Sequence, residues 1–512
     1  MVAERTVRLA SLAGALLGGV AVAVAPLGGG LSVAGQYAVA TMVVAAVLWI
    51  TGALPLPVTA LLVPVLLTAT GVYPDFGDAV AGFADPVIFL LLAGFVLAEA
   101  LKAQGIDRRI AYHILVRLGT SPRRLVLAVM VATAGLSMII SNTATTAMMV
   151  PIAVGLVGQV TDVAESEGGE DASNLQIAML LGIAYAASLG GVGTIIGTPP
   201  NAIVVGQLQE LVGVDITFVD WLFVGLPMVA VTLPLAWYLL THVVYPPAVT
   251  DVSGARQSAR EQLREAGPLD ADGRRVVAIF AATASLWLLG GLGFLFRETL
   301  PNQWFVAIFG GEGPTPFGTV GHQGVLYYVV VGLLAVPALM LSGAVEWDEV
   351  TELDWGTLLL LGGGISLANA LATTDATRWL AAVTFGALGD APLLVVLLTV
   401  VALTVAVGEL ASNTAMAAIL APLLVNVGPA YAGALGTTPT QASVFLAVTG
   451  AIAASYGFAL PVATPPNAIA FGAGYVTREH MLRAGVLLDV VVVLTATAMV
   501  YLLSQFLWPL VL

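Results

Sequence analysis

Leu136 to Pro151 reads LSMIISNTATTAMMVP, and Gly408 to Pro422 reads GELASNTAMAAILAP. These are two apolar stretches broken by the same polar triplet, Ser141-Asn142-Thr143 and Ser412-Asn413-Thr414. A second pair follows in the same order: Gly197-Thr198-Pro199-Pro200-Asn201-Ala202-Ile203 after the first triplet, Ala463-Thr464-Pro465-Pro466-Asn467-Ala468-Ile469 after the second. The triplets lie 271 residues apart and the proline motifs 266, so the chain carries an internal repeat. The repeat extends upstream, where Ala93-Gly94 through Ala98-Glu99-Ala100-Leu101 matches Gly363-Gly364 through Ala368-Asn369-Ala370-Leu371 at an offset of 270.

Outside these motifs the chain is strongly apolar. Of its 512 residues 59% are hydrophobic and 9% charged, and apolar runs of membrane-spanning length, roughly 20 residues, recur throughout. Such a composition makes an all-α polytopic membrane protein and leaves no segment long enough for a soluble domain. The first apolar stretch, near Leu9 to Leu27, lacks a cleavage site with a mature domain beyond it and reads as a retained span. Cysteine is absent, which excludes disulfides, thiolate metal sites and thiol catalysis.

The net charge is −14, with a single lysine, Lys102, against sixteen arginines, and acids gather in segments such as Asp162 to Asp171. That balance points to a prokaryote with a salt-rich cytoplasm. A GC-rich genome accounts for the missing lysine but less readily for the acidity. An acidic chain offers no nucleic-acid footprint.

Spans read near Leu9–Leu27, Gln36–Thr51, Leu56–Thr70 and Pro86–Leu101. They are followed by a basic segment, Lys102 to Arg124, in which Ile106 to Leu118 alternates apolar and basic residues at helical spacing. This suits a helix lying along the interface. The block from Arg124 to Val160, broken at the first triplet, reads as two half-length helices returning to the same side. Open backbone at membrane depth is tolerated only where protein or a cavity supplies partners. Leu175–Val192, a break at Gly197 to Asn201, a short helix from Ala202 and a span at Val219–Val244 complete the first half. Pro246 to Arg275 is a polar linker. The second half holds spans near Val276–Leu295, Gly324–Leu341 and Thr357–Leu371, with an irregular loop from Arg297 to Gln323. Then come the broken block Ala391–Val427, Ala442–Leu460, the break at Ala463 to Asn467 with a short helix after it, and a last span, Met481–Leu510.

If the broken blocks re-enter, five crossings separate them and their openings face opposite sides, so the repeats are inverted. A cytoplasmic N-terminus then places all but Arg297 and Arg378 of the 17 Lys and Arg residues inside, with the C-terminus outside, as the positive-inside rule favours.

Inverted repeats built on broken helices are the sequence pointer to a secondary transporter with its site near mid-membrane. Thr198 before Pro199, and Thr464 before Pro465, combine a capping hydroxyl with proline at the first helical position. Helices also start after Asn142 and Asn413. Four N-termini directed at one cavity would present free N–H groups and positive dipole ends to an anion. The preceding helix ends release carbonyl oxygens, which with Ser141, Asn142, Ser412 and Asn413 suit a hard monovalent cation such as sodium. No arginine or lysine falls in the motifs, so a bound anion needs dipoles, hydroxyls, amides and co-bound cations to offset its desolvation.

A single Ser-Asn-Thr in an apolar helix is more often an interhelical hydrogen-bonding element; its duplication, with TPPNAI after each copy, argues against a purely structural role. Glu409 reads as an interior carboxylate bonded to helix ends, with proton carrier as the alternative, and Glu99 as an interfacial residue. The four histidines are not spaced as a metal cluster. Gly362-Gly363-Gly364 reads as close helix packing, since no P-loop lysine follows.

At these paired motifs the chain resembles the divalent anion:sodium symporter family, INDY-type sodium-coupled dicarboxylate transporters, over nearly its whole length. The resemblance implies a homodimer of protomers with about eleven transmembrane helices and two re-entrant helical hairpins, working by an elevator motion in the plasma membrane. Residues 1–118 would hold scaffold spans and a first interfacial arm, and 119–247 the first half of the transport domain. Residues 248–275 would be a cytoplasmic linker, 276–388 scaffold spans and a second arm, and 389–512 the second half of the transport domain. The resemblance also places a first sodium ion at Ser137, Ser141, Asn142 and Gly197, and a second at Ala411, Ser412, Asn413 and Ala463. Substrate carboxylates would meet Asn142, Thr143, Thr198, Asn413, Thr414, Thr464 and Pro465. One departure is visible: the counterpart of Ser137 is Gly408, where the family commonly has a hydroxyl, so side-chain ligation is lost there.

The expected function is sodium-coupled uptake of a C4-dicarboxylate such as succinate, malate or fumarate. Sodium-independent dicarboxylate exchange, or transport of sulfate or citrate, is the near alternative. An anion channel or substrate sensor is the alternative from another class, but polarity concentrated at two duplicated breaks does not make a continuous pore stripe. An enzyme is not expected, because no nucleophile–base or metal-ligand constellation accompanies the breaks.

Overall fold

The protein is described from a computed structural model covering residues 2–28, 30–118, 121–164, 171–249, 252–385, 391–410 and 412–506. Helices α1 (Val2–Val24), α2 (Val33–Thr51), α3 (Leu56–Ala69) and the short α4 (Phe76–Val80) lead to α5 (Pro86–Ala103) and the arm α6 (Ile106–Leu118). The first broken block gives α7 (Pro122–Ser137) and α8 (Asn142–Ala164); then come α9 (Asp171–Gly191), α10 (Pro199–Val212) and α11 (Phe218–Tyr238), which runs on as a π turn, Leu239–Val244. The linker contains α12 (Ser253–Ala266), and α13 (Ala271–Gly291) follows. The irregular loop folds into α14 (Asn302–Phe309) and two short strands, β1 (Gly311–Pro314) and β2 (Val320–His322), paired antiparallel with Gly311 opposite His322. The chain ends with α15 (Tyr328–Ser342), α16 (Trp355–Thr373), the arm α17 (Ala376–Phe385), α18 (Leu393–Gly408), α19 (Asn413–Val427), α20 (Ala432–Leu435), α21 (Pro439–Ala454), α22 (Pro465–Gly472) and α23 (Arg478–Phe506).

Among the described residues nine helices are long and apolar enough to cross a membrane, and five more are apolar but shorter. The fold is that of a polytopic helical membrane protein with one small hairpin attached. Local chemistry sets its boundaries. Ser32 caps α2, Asp85 caps α5 ahead of Pro86, and Thr217 with Asp220 and Thr438 with Gln441 form capping boxes on α11 and α21. Two expectations shift. The first break occupies 192–198 and α10 starts at Pro199 rather than Ala202, because proline at the first turn needs no N–H partner. The linker is not wholly irregular, since α12 and the first turn of α13 lie within it. The expected acidic segment Asp162 to Asp171, the domain boundary at 388/389 and the end of the last span fall partly outside the described residues.

Burial ranks the helices. The apolar window of α9 is 89% buried and that of α1 11%, so α9 is a central element and α1 a peripheral one. Small residues make this possible: Ala184, Ala186, Ala187, Ser188 and Gly190 let neighbouring backbones approach, and α7, α8 and α22 all pack on α9. The glycine triplet of α16 works likewise. A Cβ on Gly363 would stand 2.5 Å from Ala60 O of α3, one on Gly364 2.7 Å from Ala418 Cβ of α19, and one on Gly362 would strike the Phe83 ring. Each glycine thus admits a different neighbour.

The arm α6 keeps its expected limits and is fastened to the linker. Arg109 donates to Ala266 O at 2.7 Å and to Gly267 O, and Arg256 Nε donates to Val116 O at 3.0 Å, while α12 also packs on α8. Asp107, 5% exposed at the start of the arm, has its carboxyl raised by burial, against the opposing pull of the Arg108 N–H and the Arg108 and Lys102 charges.

Gly363→Ala should destabilise the protein by about 1–3 kcal/mol through overpacking, whereas Gly155→Ala, whose Cβ meets nothing within 4 Å, should not. Melting curves in detergent compare them. The raised carboxyl of Asp107 favours the protonated folded state, so its contribution falls as pH rises above the ordinary carboxylate range. Asp107→Asn should therefore melt with the parent below that range and above it at neutral pH.

Candidate functional site

Both triplets begin a helix. Ser141 precedes α8, with its Oγ accepting from Ala144 N at 3.3 Å and its carbonyl from Thr145 N at 2.9 Å. Ser412 caps α19 in extended conformation, its carbonyl accepting from Met416 N at 2.9 Å. Both proline motifs do the same. Thr198 and Thr464 stand in extended conformation before α10 and α22, both buried, and Thr464 Oγ1 accepts from Asn467 N at 3.2 Å. The four helices interleave across the repeats: α8 of the first packs on α22 of the second, and α19 of the second on α10 of the first. Thr143 and Pro465 are exposed, and Asn142, Asn413 and Thr414 half-buried.

The first proposed cation site is assembled around Asn142. One terminal atom of its amide lies 2.5 Å from Ser137 Oγ, 3.1 Å from Ala187 O and 3.2 Å from Gly197 O. With the nitrogen there, its two hydrogens have these three acceptors within reach. With the oxygen there it faces the Ala187 and Gly197 carbonyl oxygens, so the protein alone satisfies the nitrogen orientation and the oxygen orientation would need a cation among the four oxygens. The single Ser137 hydroxyl hydrogen can go to the Asn142 oxygen or to Ala187 O, 2.8 Å away, but not to both. Gly197 has no space for a side chain: its Cβ would strike Gly191 O and stand 3.0 Å from Ser137 O. These are neutral oxygens, and among the described residues no cluster of three or more His, Asp or Glu could hold a metal. The set therefore suits a monovalent ion. Ser141 spends its hydroxyl on the helix cap.

The second site is less complete. Ala411 lies outside the described residues. Asn413 Oδ1 is buried without a hydrogen-bond partner, an acceptor left open as a cation ligand requires. Gly408 offers no side chain, and a Cβ there would sit 3.3 Å from Tyr456 O. Ala463 N donates to Leu460 O at 3.2 Å within the break.

Three features of the site were not among the expected ligands. First, the asparagine of each proline motif closes its own break. Asn201 Nδ2 donates to Gly191 O at 3.0 Å and Thr194 O at 2.7 Å; Asn467 Nδ2 donates to Gly457 O at 3.1 Å and Leu460 O at 2.9 Å. The partners stand ten and seven residues upstream in both copies. Second, Ala187 enters through its carbonyl alone, which no side-chain pattern discloses. Third, Glu409 is an interior carboxylate bonded to backbone, as expected, but to the open break between α21 and α22 rather than to a helix end: it accepts from Ala459 N at 2.9 Å and Leu460 N at 2.8 Å, and it has a companion. Asp489 of α23 accepts from Phe458 N at 3.3 Å and reaches the Glu409 carboxyl. An acid inside the last apolar span is visible in the sequence and was the signal. In the first repeat the corresponding tie is neutral: Thr194 Oγ1 donates to Met138 O.

The chain matches the sodium:sulfate symporter transmembrane region over residues 6–512. It is 31% identical over 477 residues to the sodium-dependent dicarboxylate transporter SdcS of Staphylococcus saprophyticus, covering 92% of this chain and 87% of the relative. It is 36% identical over 462 residues to an uncharacterised transporter of Haemophilus influenzae, covering 89% of each. Among solved structures its fold is similar to the YdaH transporter of Alcanivorax borkumensis, with TM-score 0.54 at 17% identity over 85% of this chain and 89% of that one. It is also similar to MtrF of Neisseria gonorrhoeae, with TM-score 0.51 at 12% identity over 83% and 82%.

Asn201→Asp and Asn467→Asp each turn a two-hydrogen donor into an acceptor facing carbonyl oxygens. Each should cost about 3–5 kcal/mol, the scale of an uncompensated buried charge, and equal drops in melting temperature would mark equivalent clamps. Glu409→Gln, which keeps one acceptor oxygen, should cost less, about 1–3 kcal/mol.

Proposed function

The chain belongs to the sodium:sulfate symporter family, and we propose that it is a secondary transporter that couples inward sodium flow to uptake of C4-dicarboxylates such as succinate, malate or fumarate. One observation carries the reading. The two triplets and the two proline motifs each begin a helix, and these helices pack across the repeats, α8 on α22 and α19 on α10. That SdcS, at 31% identity, is a sodium-dependent dicarboxylate transporter supports the choice of substrate and ion.

In this proposal a dicarboxylate is held without any Lys or Arg. Its carboxylates accept from Asn142, Thr143, Thr198, Asn413, Thr414, Thr464 and the backbone around Pro465, at helix ends whose dipoles favour negative charge. Sodium ions enter as co-transported cargo. One is held by Ser137, Asn142 and the Gly197 carbonyl, with Ala187 O added to the expected set and the Ser141 hydroxyl committed to its cap. The other is held by Ala411, Ser412, Asn413 and Ala463. Two cations offset the charge of one dianion, which lowers the cost of carrying it through a desolvated interior. That mutual dependence is the coupling: neither ion nor anion is stable in the site alone.

The motion proposed is an elevator. Residues 119–247 and 389–512 would move together as the transport domain against scaffold residues 1–118 and 276–388, with α6 and α17 as connecting arms and 248–275 as the cytoplasmic linker. The N-terminus would be cytoplasmic and the C-terminus outside, in a homodimer in the plasma membrane of a prokaryote, consistent with a halophile's acidic composition.

Labelled succinate uptake into proteoliposomes tests this. An inward sodium gradient should drive accumulation into empty vesicles, and Asn142→Ala and Asn413→Ala should each abolish it. Uptake that needs trapped succinate and ignores sodium would make the protein an exchanger. Sulfate and citrate in place of succinate test the carboxylate assignment, the family's description making sulfate the first competitor.

A further inference from the structure

Away from the duplicated motifs, a half-open cavity of about 510 Å³ lies where the start of α11, the end of α13, the β1–β2 hairpin and the start of α15 meet. That volume is in the range of small-molecule sites. Its walls are aromatic and fixed. Phe218 and Trp287 are stacked with ring centroids 5.0 Å apart, and Trp287 Nε1 donates to Tyr328 O at 2.8 Å, which locks the indole. Tyr327 and Tyr328 lie 4.7 Å apart beside them. Phe218, Trp287 and Tyr328 are each less than 9% exposed, so the rings are part of the packed helices rather than mobile surface groups.

The polar groups give the cavity a sign. No Lys or Arg lines it. The Thr217 hydroxyl is consumed by Asp220 in the α11 cap, and His322 Nδ1 accepts from Gly324 N at 2.8 Å. Beside the neutral Gln323 amide and Tyr327 hydroxyl, Asp215 is the acid of the lining, exposed and with no hydrogen-bond or ion-pair partner among the described residues. Burial raises its carboxyl above the ordinary value, and it is near enough to Tyr327 and Tyr328 to act on both. A dianion is repelled from such a cavity. A carboxylate and aromatic rings lining one cavity without a competing Lys or Arg are the chemistry that attracts a weakly hydrated organic cation.

We propose that this cavity is a binding site for a small organic ammonium ion, methylated or primary, distinct from the transport site. The same headgroup chemistry comes from two sources, a free solute such as choline or the headgroup of a zwitterionic phospholipid. Resting on the division of the chain proposed above, an occupant would bridge α11 of the moving part to α13 and α15 of the scaffold. It would then slow transport without competing with the dicarboxylate.

Calorimetric titration of the purified full-length protein with choline and with tetramethylammonium tests the free-solute source, and native mass spectrometry after exchange into phosphatidylcholine or phosphatidylglycerol nanodiscs tests the lipid source. Saturable binding of either cation, or selective retention of phosphatidylcholine, weakened about tenfold or more in Asp215→Asn, is the expected result; a tenfold change corresponds to about 1.4 kcal/mol. Tyr327→Leu, which removes an aromatic face and leaves the carboxylate, should weaken binding as well. Sodium-driven succinate uptake should persist in Asp215→Asn, so the binding assay stands or falls independently of the transport reading. No saturable binding and no selective retention, or binding that is unchanged in Asp215→Asn, would overturn the proposal.

Discussion

The structure depends on how two open stretches of backbone are satisfied inside a bilayer. Where a helix stops at membrane depth its last carbonyl oxygens have no water to turn to. Asn201 and Asn467 meet that need with the same geometry, each spending both amide hydrogens on carbonyls ten and seven residues upstream. The proline before each clamp starts the next helix without an N–H to place, and the threonine before it turns the chain. With the breaks held, Gly197 and Gly191 bring their backbones so close to each other and to the Asn142 amide that neither position has room for a side chain.

The two repeats are alike in frame and different in charge. At corresponding positions the first tip is tied to its break by Thr194 and Met138, two neutral groups, and the second by Leu460 and Glu409, a carboxylate. Ser137 supplies a hydroxyl in the first copy where Gly408 has none. A pair of acids on the second side, Glu409 with Asp489, stands where side-chain ligation is poorest. The two breaks are therefore chemically unlike, although their backbone clamps match.

Much of this was legible in the chain. The repeated triplets and TPPN motifs located both breaks and all four helix starts to within three residues, because proline, threonine and asparagine act locally and leave a pattern. The arm at Ile106–Leu118 was readable to the residue from its amphipathic spacing. The packing role of Gly362–Gly364 followed from the absence of a lysine. What could not be read was what backbone and long-range packing decide. The carbonyl of Ala187 carries no signature, the partnership of Asp489 with Glu409 spans eighty residues, and the β1–β2 hairpin is built mostly of glycine and proline with too little alternation to announce strands. The linker helix α12 was not named within the polar connector, since its partners, Val116 and Arg109, lie on the distant arm.

Interleaving also bears on how the molecule is made. Helix α8 leaves the ribosome some 300 residues before α22, the element it packs against. At about 5–20 residues per second of synthesis, the first half must wait on the order of 15 seconds to a minute with part of its broken backbone lacking its final neighbours. The Asn201 clamp lies wholly within that first half. It gives the early backbone a closed form before its counterpart has been translated, so the repeat that is synthesised first holds its shape by itself and the second is assembled onto it.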